Sequence, residues 1–169
     1  MSAPDQNPAD VREFFQKTIP GQIHLTAIDP ERRSGVIARD FGGDVEPAAA
    51  WAMERNAKGV NIYYTVNRVR SGVNAKPKKA DIAAVRFAHV DVDPPKGIAA
   101  WSVEEREAAR ERILGALVEP STIVSSGNGL QALWRLGEGV TAAEVEDINR
   151  GLIDTLGGDE GTHDVSRLL

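Results

Sequence analysis

Apolar and polar positions alternate along FAHVDVD, residues 87–93. In an extended chain this puts Phe87, His89, Asp91 and Asp93 on one face and Ala88, Val90 and Val92 on the other. The pattern predicts a strand with an apolar back on helices and a front that opens on something polar, ended by Pro94 and Pro95. QIHLTAID and GVIARDF read as two strands around the turn PERRSG, and NIYYTVN as a third, rich in β-branched and aromatic residues. STIVS and LQALWRL are two more, joined by SGNG, which has the Asn-Gly chemistry of a hairpin turn. After a loose start, DVREFFQKTI predicts a short helix capped by Asp10. EPAAAWAMERNAKG predicts a second, with Glu46 and Pro47 in its first turn and Gly59 just past its end. Two capping boxes, Ser102 with Glu105 and Thr141 with Glu144, open SVEEREAARERILGALV and TAAEVEDINRGLIDTLG. After residue 85 the order is strand, helix, hairpin, helix and a final segment. The expected class is therefore α+β, a split β-α-β layout with helices on one face of a mainly antiparallel sheet.

Composition changes this picture little. A chain of 169 residues, 41% hydrophobic, suits one domain with a real core. A formal charge of -5 gives the molecule no general nucleic-acid footprint. The charge is uneven, however: RVRSGVNAKPKK carries Arg68, Arg70, Lys76, Lys78 and Lys79 with no acidic residue. Such a run is commonly a solvated mobile loop, and its functional reading is an arm that meets nucleic-acid phosphates. The absence of cysteine excludes disulfides, thiolate metal sites and a cysteine nucleophile. The polar start MSAPDQNPAD has no signal core, and no apolar run approaches the roughly 20 residues of a membrane span, so a soluble cytoplasmic protein without a membrane partner is expected.

The chemistry starts from Asp91 and Asp93. Carboxylates roughly 7 Å apart on one strand face repel each other where water is scarce. A hard divalent cation, Mg²⁺ or Mn²⁺, would relieve that repulsion; the plainer reading is a solvated strand end with Asp93-Pro94 opening a turn. Asp164, with Arg167 three residues on, offers the third carboxylate and the triphosphate-binding cation that two-metal phosphoryl chemistry requires, although a surface Asp and Arg would look the same. Two rivals are weaker. GNGLQA fits a dinucleotide fingerprint but is followed by a strand-like segment, too short for the required helix. Tyr63 and Tyr64 suggest a strand-nicking enzyme, but His24, His89 and His163 are not closely spaced as its metal site needs, and one core and one surface ring on a strand explains the pair.

NIYYTVN, the basic loop, HVDVDPP, IVSSGNGLQALWRL and THDVSRLL, in that order over roughly Val60 to Leu169, resemble the primase-polymerase branch of the archaeo-eukaryotic primase superfamily, in its plasmid and phage replication form. The first 59 residues match it only loosely. The resemblance implies a recognition-motif-like antiparallel sheet with helices behind it, fronted by a small N-terminal α/β module. It implies one catalytic domain, with 1–59 as that module and 60–169 bearing the motifs, forming the N-terminal part of a longer replication protein with a helicase domain. By it, Asp91, Asp93 and Asp164 are the ligands of two Mg²⁺ or Mn²⁺ ions, and Ser126, Gly127, Gln131 and Arg167 contact a nucleoside triphosphate. Strand parity adds His89 to the nucleotide contacts. Arg68, Arg70, Lys76, Lys78 and Lys79 are expected to meet a single-stranded DNA template. One departure is that many primases carry histidine where this chain has Gln131, and a neutral amide supplies neither charge nor a proton shuttle. The expected function is a DNA-dependent primase or polymerase. The alternatives are a non-catalytic binding module of the same fold and, behind it, a metal-dependent nuclease.

Overall fold

In the computed structural model, residues 7–32 and 35–169 are described. The start of the chain before Asn7, and the tip of the PERRSG turn at Arg33 and Ser34, lie outside them. The chain divides into two units, one comprising the residues up to Ala84 with Leu168–Leu169, the other Val85–Arg167. The division therefore falls 25 residues later than the expected 59/60 boundary, and NIYYTVN and the basic segment belong to the first unit.

In the first unit, helix α1 (Pro8–Thr18) is capped by Asn7, whose side chain accepts the Ala9 N–H, rather than by Asp10. Pro8 at the first position needs no hydrogen-bond donor there, so the helix starts earlier than expected, and Asp10 stands in its first turn. Strands β1 (His24–Ile28), β2 (Val36–Asp40) and β3 (Asn61–Tyr64) form an antiparallel sheet in the order β2-β1-β3, with helix α2 (Val45–Asn56) between β2 and β3 in the chain. Phe15, Ile19, Leu25, Ala27, Ala48 and Tyr64 are buried, and Tyr63 is half-buried, as a strand with one covered face requires. Tyr64 exchanges backbone hydrogen bonds with Leu169.

The basic segment is more ordered than a mobile loop. Arg68–Val69 form β4, which pairs antiparallel with β5 (Ile82–Ala84). Gln22 bonds both the N–H and the C=O of Val69, at 2.9 and 2.8 Å. Buried His24 meets the Val73 carbonyl at 2.9 Å, Asp40 accepts the Gly72 N–H, and Asn74 accepts the Asp40 N–H. Arg68, Arg70, Lys76, Lys78 and Lys79 all stay exposed on this anchored backbone.

The second unit carries the expected split β-α-β. Strand β6 (Phe87–Val92), helix α3 (Val103–Leu114), strands β7 (Thr122–Ser125) and β8 (Leu130–Arg135) and helix α4 (Ala142–Leu156) follow in order, and the sheet runs β6-β8-β7, all antiparallel. Both capping boxes form. Helix α3 stops at Leu114 with Gly115 at its C-cap, short of the expected Val118; Leu117 is fully exposed, and the Val118 carbonyl accepts the Trp134 indole N–H at 2.7 Å. Facing residues of paired strands share a sheet face, so Asp91, Gln131 and Val124 form one row and His89, Leu133 and Thr122 the next. Ala88, Val90, Val92, Ala132 and Trp134 form the opposite, buried face.

Candidate active site

Asp91 is the centre of the polar row. It is 9% exposed at the end of β6, with Gln131 directly opposite on β8. Burial first, and then the neighbouring Asp93 charge, push its pKa up to about 6; Arg167 and a hydrogen bond from Gln131 pull the other way, and Asp159 adds to the rise. Its Oδ1 is nevertheless buried with no hydrogen-bond partner among the described residues. A buried carboxylate oxygen left without a donor is costly, and a hard cation is the partner its chemistry suits. Asp93 is exposed just beyond the strand. Gly129 lies against it so closely that a Cβ there would overlap Asp93 Oδ1 and stand 2.5 Å from the Val92 carbonyl. The hairpin and the DxD pair are therefore in backbone contact, possible only with glycine at 129.

The hairpin closes through Ser126 N–H to the Gly129 carbonyl at 3.2 Å, and Ser126 Oγ accepts the Gly129 N–H at 3.0 Å. Its two central residues are Gly127, at φ 98°, and Asn128, with no positive φ. This is the Gly-first pattern of a primed hairpin turn rather than the expected Asn-Gly one, so Gly127 is the residue that needs freedom from a side chain. No helix follows GNGLQA; the segment is β8.

Asp164 has a different arrangement. Its Oδ1 accepts the Ser166 N–H at 2.7 Å and the Ser166 hydroxyl at 2.6 Å. Among the described residues no three His, Asp or Glu side chains gather closely enough to hold an ion, so the expected convergence of Asp91, Asp93 and Asp164 is not formed. Asp91 and Asp93 with a triphosphate still fit a cation, because Mg²⁺ usually takes only one or two carboxylates from the protein. Arg167 is within electrostatic range of both Asp91 and His89, and its Nε is buried without a hydrogen-bond partner among the described residues.

His89 departs from its expected role. It is wholly buried; Nε2–H donates to the Thr162 carbonyl at 2.7 Å and Nδ1 faces the Asn149 amide nitrogen at 3.3 Å. Burial holds its pKa down at about 4, so the ring is neutral and both nitrogens are occupied. Strand parity puts it on the right face, but Thr162 and Asn149 cover it before a nucleotide can. Asn149 also accepts the His89 N–H and donates to the His163 carbonyl, while Glu146 accepts the Val165 N–H at 3.5 Å. Helix α4 thereby fixes the segment leading to Asp164 and Arg167. Asn149, Glu146 and Asp159 are not foreseen from the sequence. Nothing in a polar position of an amphipathic helix, or in the loop GGDEG, marks a residue that will face β6.

No protein-family model matches the chain, and no curated protein does. The chain shares its fold with a cyanophage primase-polymerase domain and with the catalytic domain of a primase. The AEP domain of the cyanophage S-2L primase-polymerase is similar at a TM-score of 0.64 and 20% identity, over 98% of this chain and 82% of that one. The catalytic domain of primase RepB′, solved in complex with initiator DNA, is similar at 0.63 and 15%, over 98% and 75%. A second structure of primase RepB′ gives 0.61 and 14%, over 96% and 49%.

Proposed function

We propose that the chain is a template-directed nucleotidyltransferase, a primase or polymerase acting on single-stranded DNA. The observation that carries this reading is the buried, donorless Oδ1 of Asp91 beside Asp93, in the fold of primase-polymerase catalytic domains. Asp91 and Asp93 would hold Mg²⁺ or Mn²⁺, and Asp164 would join them through a rearrangement of its turn with Ser166. Bound there, two ions supply activation of a primer 3′-hydroxyl and neutralisation of the triphosphate. Gln131 positions the Asp91 carboxylate across the strand pair. Ser126 and Gly127 offer a turn whose backbone can approach phosphates, and Arg167 brings a permanent cation to the same carboxylate. Arg68, Arg70, Lys76, Lys78 and Lys79 hold template phosphates from an anchored, exposed segment.

The test is nucleotide incorporation on single-stranded DNA, with and without primer, in Mg²⁺ and in Mn²⁺, beside an Asp91→Ala plus Asp93→Ala control. Metal-dependent product that vanishes in the control is expected. The second reading, a binding module of the same fold without catalysis, is favoured by the engagement of Asp164 Oδ1 with the Ser166 N–H and hydroxyl and by the absence of a three-carboxylate cluster among the described residues. It predicts no product from the folded chain and DNA binding indifferent to metal and to loss of Asp91.

A further inference from the structure

Arg106, on the first turn of α3, reaches across to the hairpin between β7 and β8. Nη1 donates to Ser125 Oγ at 3.0 Å and to the Gly129 carbonyl at 3.4 Å; Nη2 donates to the Gly127 carbonyl at 2.8 Å and the Asn128 carbonyl at 3.3 Å. The guanidinium also lies 5.9 Å from the centre of the Trp101 ring. One half-buried side chain thus binds three successive carbonyls of a turn that otherwise closes on itself by one backbone hydrogen bond and one hydroxyl.

A trans peptide holds its C=O and N–H on opposite sides, and the described backbone has no cis bond. Drawing the Gly127 carbonyl toward α3 therefore aims the Asn128 N–H away from α3. The Asn128 carbonyl does the same for the Gly129 N–H, which ends on Ser126 Oγ and leaves that hydroxyl its own proton to donate. Helix α3 meets the sheet on the face of Ser125, whereas Asp91 and Gln131 lie on the other. Resting on the nucleotidyltransferase reading, we propose that Arg106 is a positioning residue of the triphosphate site. It turns the hairpin carbonyls to the rear and presents the Asn128 N–H and Ser126 O–H as preset donors to phosphate. Preorganised donors of this kind cost no rearrangement when the anion arrives. The guanidinium's planar fork is what allows three carbonyls to be met at once; an ammonium at the same place has the charge without the span.

The experiment measures equilibrium binding of a non-hydrolysable deoxynucleoside triphosphate in Mg²⁺ to wild type, Arg106→Met and Arg106→Lys, with thermal melting of each and KM and kcat for incorporation. The expected result is about tenfold weaker binding for Arg106→Met, a matching rise in KM with kcat changed less, and no rescue by Arg106→Lys. Amide hydrogen exchange should quicken at residues 127–129 in both variants. Wild-type affinity in a folded Arg106→Met overturns the proposal, as does full rescue by lysine, which would make charge rather than geometry the cause. Wild-type protein that binds no triphosphate overturns the nucleotidyltransferase reading itself, and this proposal with it.

Discussion

Asn149 grips His89 at two points: Oδ1 accepts the His89 backbone N–H at 2.8 Å, and Nδ2 faces the ring Nδ1 at 3.3 Å. The same amide donates to the His163 carbonyl, so one buried side chain ties the strand of Asp91 to the segment of Asp164 and Arg167. Asn149→Leu keeps the volume and leaves the His89 N–H and the His163 carbonyl unpaired. A loss of about 2–4 kcal/mol in urea unfolding is expected.

Asp91 costs the fold stability at neutral pH. Its folded pKa of about 6 lies above the 3.8 of a free carboxyl, so the ionised form is penalised above pH 6 and the penalty fades as pH falls toward 4. His89 has the opposite sign. Its folded value of about 4 lies below 6.5, so its contribution is complete above pH 6.5 and is lost as pH falls toward 4. The two partly cancel in the wild type. Asp91→Asn should be more stable at pH 7 by about 1–3 kcal/mol, with the gain gone by about pH 4 and a steeper loss in acid, read from unfolding curves across that range.

Gln131 lowers the Asp91 pKa through its hydrogen bond. Gln131→Leu therefore raises it further in the metal-free protein, which an NMR titration of the Asp91 carboxyl measures against about 6 in the wild type. An unmoved titration would remove Gln131 as a partner of the Asp91 carboxylate.

Gly129→Ala should abolish activity, since its Cβ would displace Asp93 and the Val92 carbonyl. The cost in stability should be in the range of about 1–3 kcal/mol found for overpacked sites, measured by denaturation beside the activity assay.

Replacing Arg68, Arg70, Lys76, Lys78 and Lys79 with alanine should lower the slope of log affinity for single-stranded DNA against log salt by about 3.5, at roughly 0.7 per neutralised phosphate. An unchanged slope would remove these five residues from the DNA contacts.

Much of the fold is legible in the amino-acid order alone. The alternation of FAHVDVD, the capping boxes at Ser102 and Thr141 and the strand-like LQALWRL are local signals, because backbone sterics and side-chain caps act over a few residues. They place Asp91 opposite Gln131 once the strands pair. The start of α1 at Pro8, the stop of α3 at Gly115 and the Gly127-first turn each lie a few residues from where local signals put them, since several residues there can cap, end or turn a chain and tertiary contacts choose among them.

Sequence by itself determined the order of the four helices and of the strands other than β4 and β5, the apolar and polar faces of β6 and the pair Asp91 and Asp93 as neighbouring carboxylates. Tertiary structure alone decided that His89 is sealed by Asn149 and Thr162, that Gly129 lies against Asp93 and that Arg106 holds the hairpin. Each of the latter joins residues that only the packing of helices and turns against one sheet brings within a few ångströms, and a hydrogen bond or a steric limit acts over no greater distance.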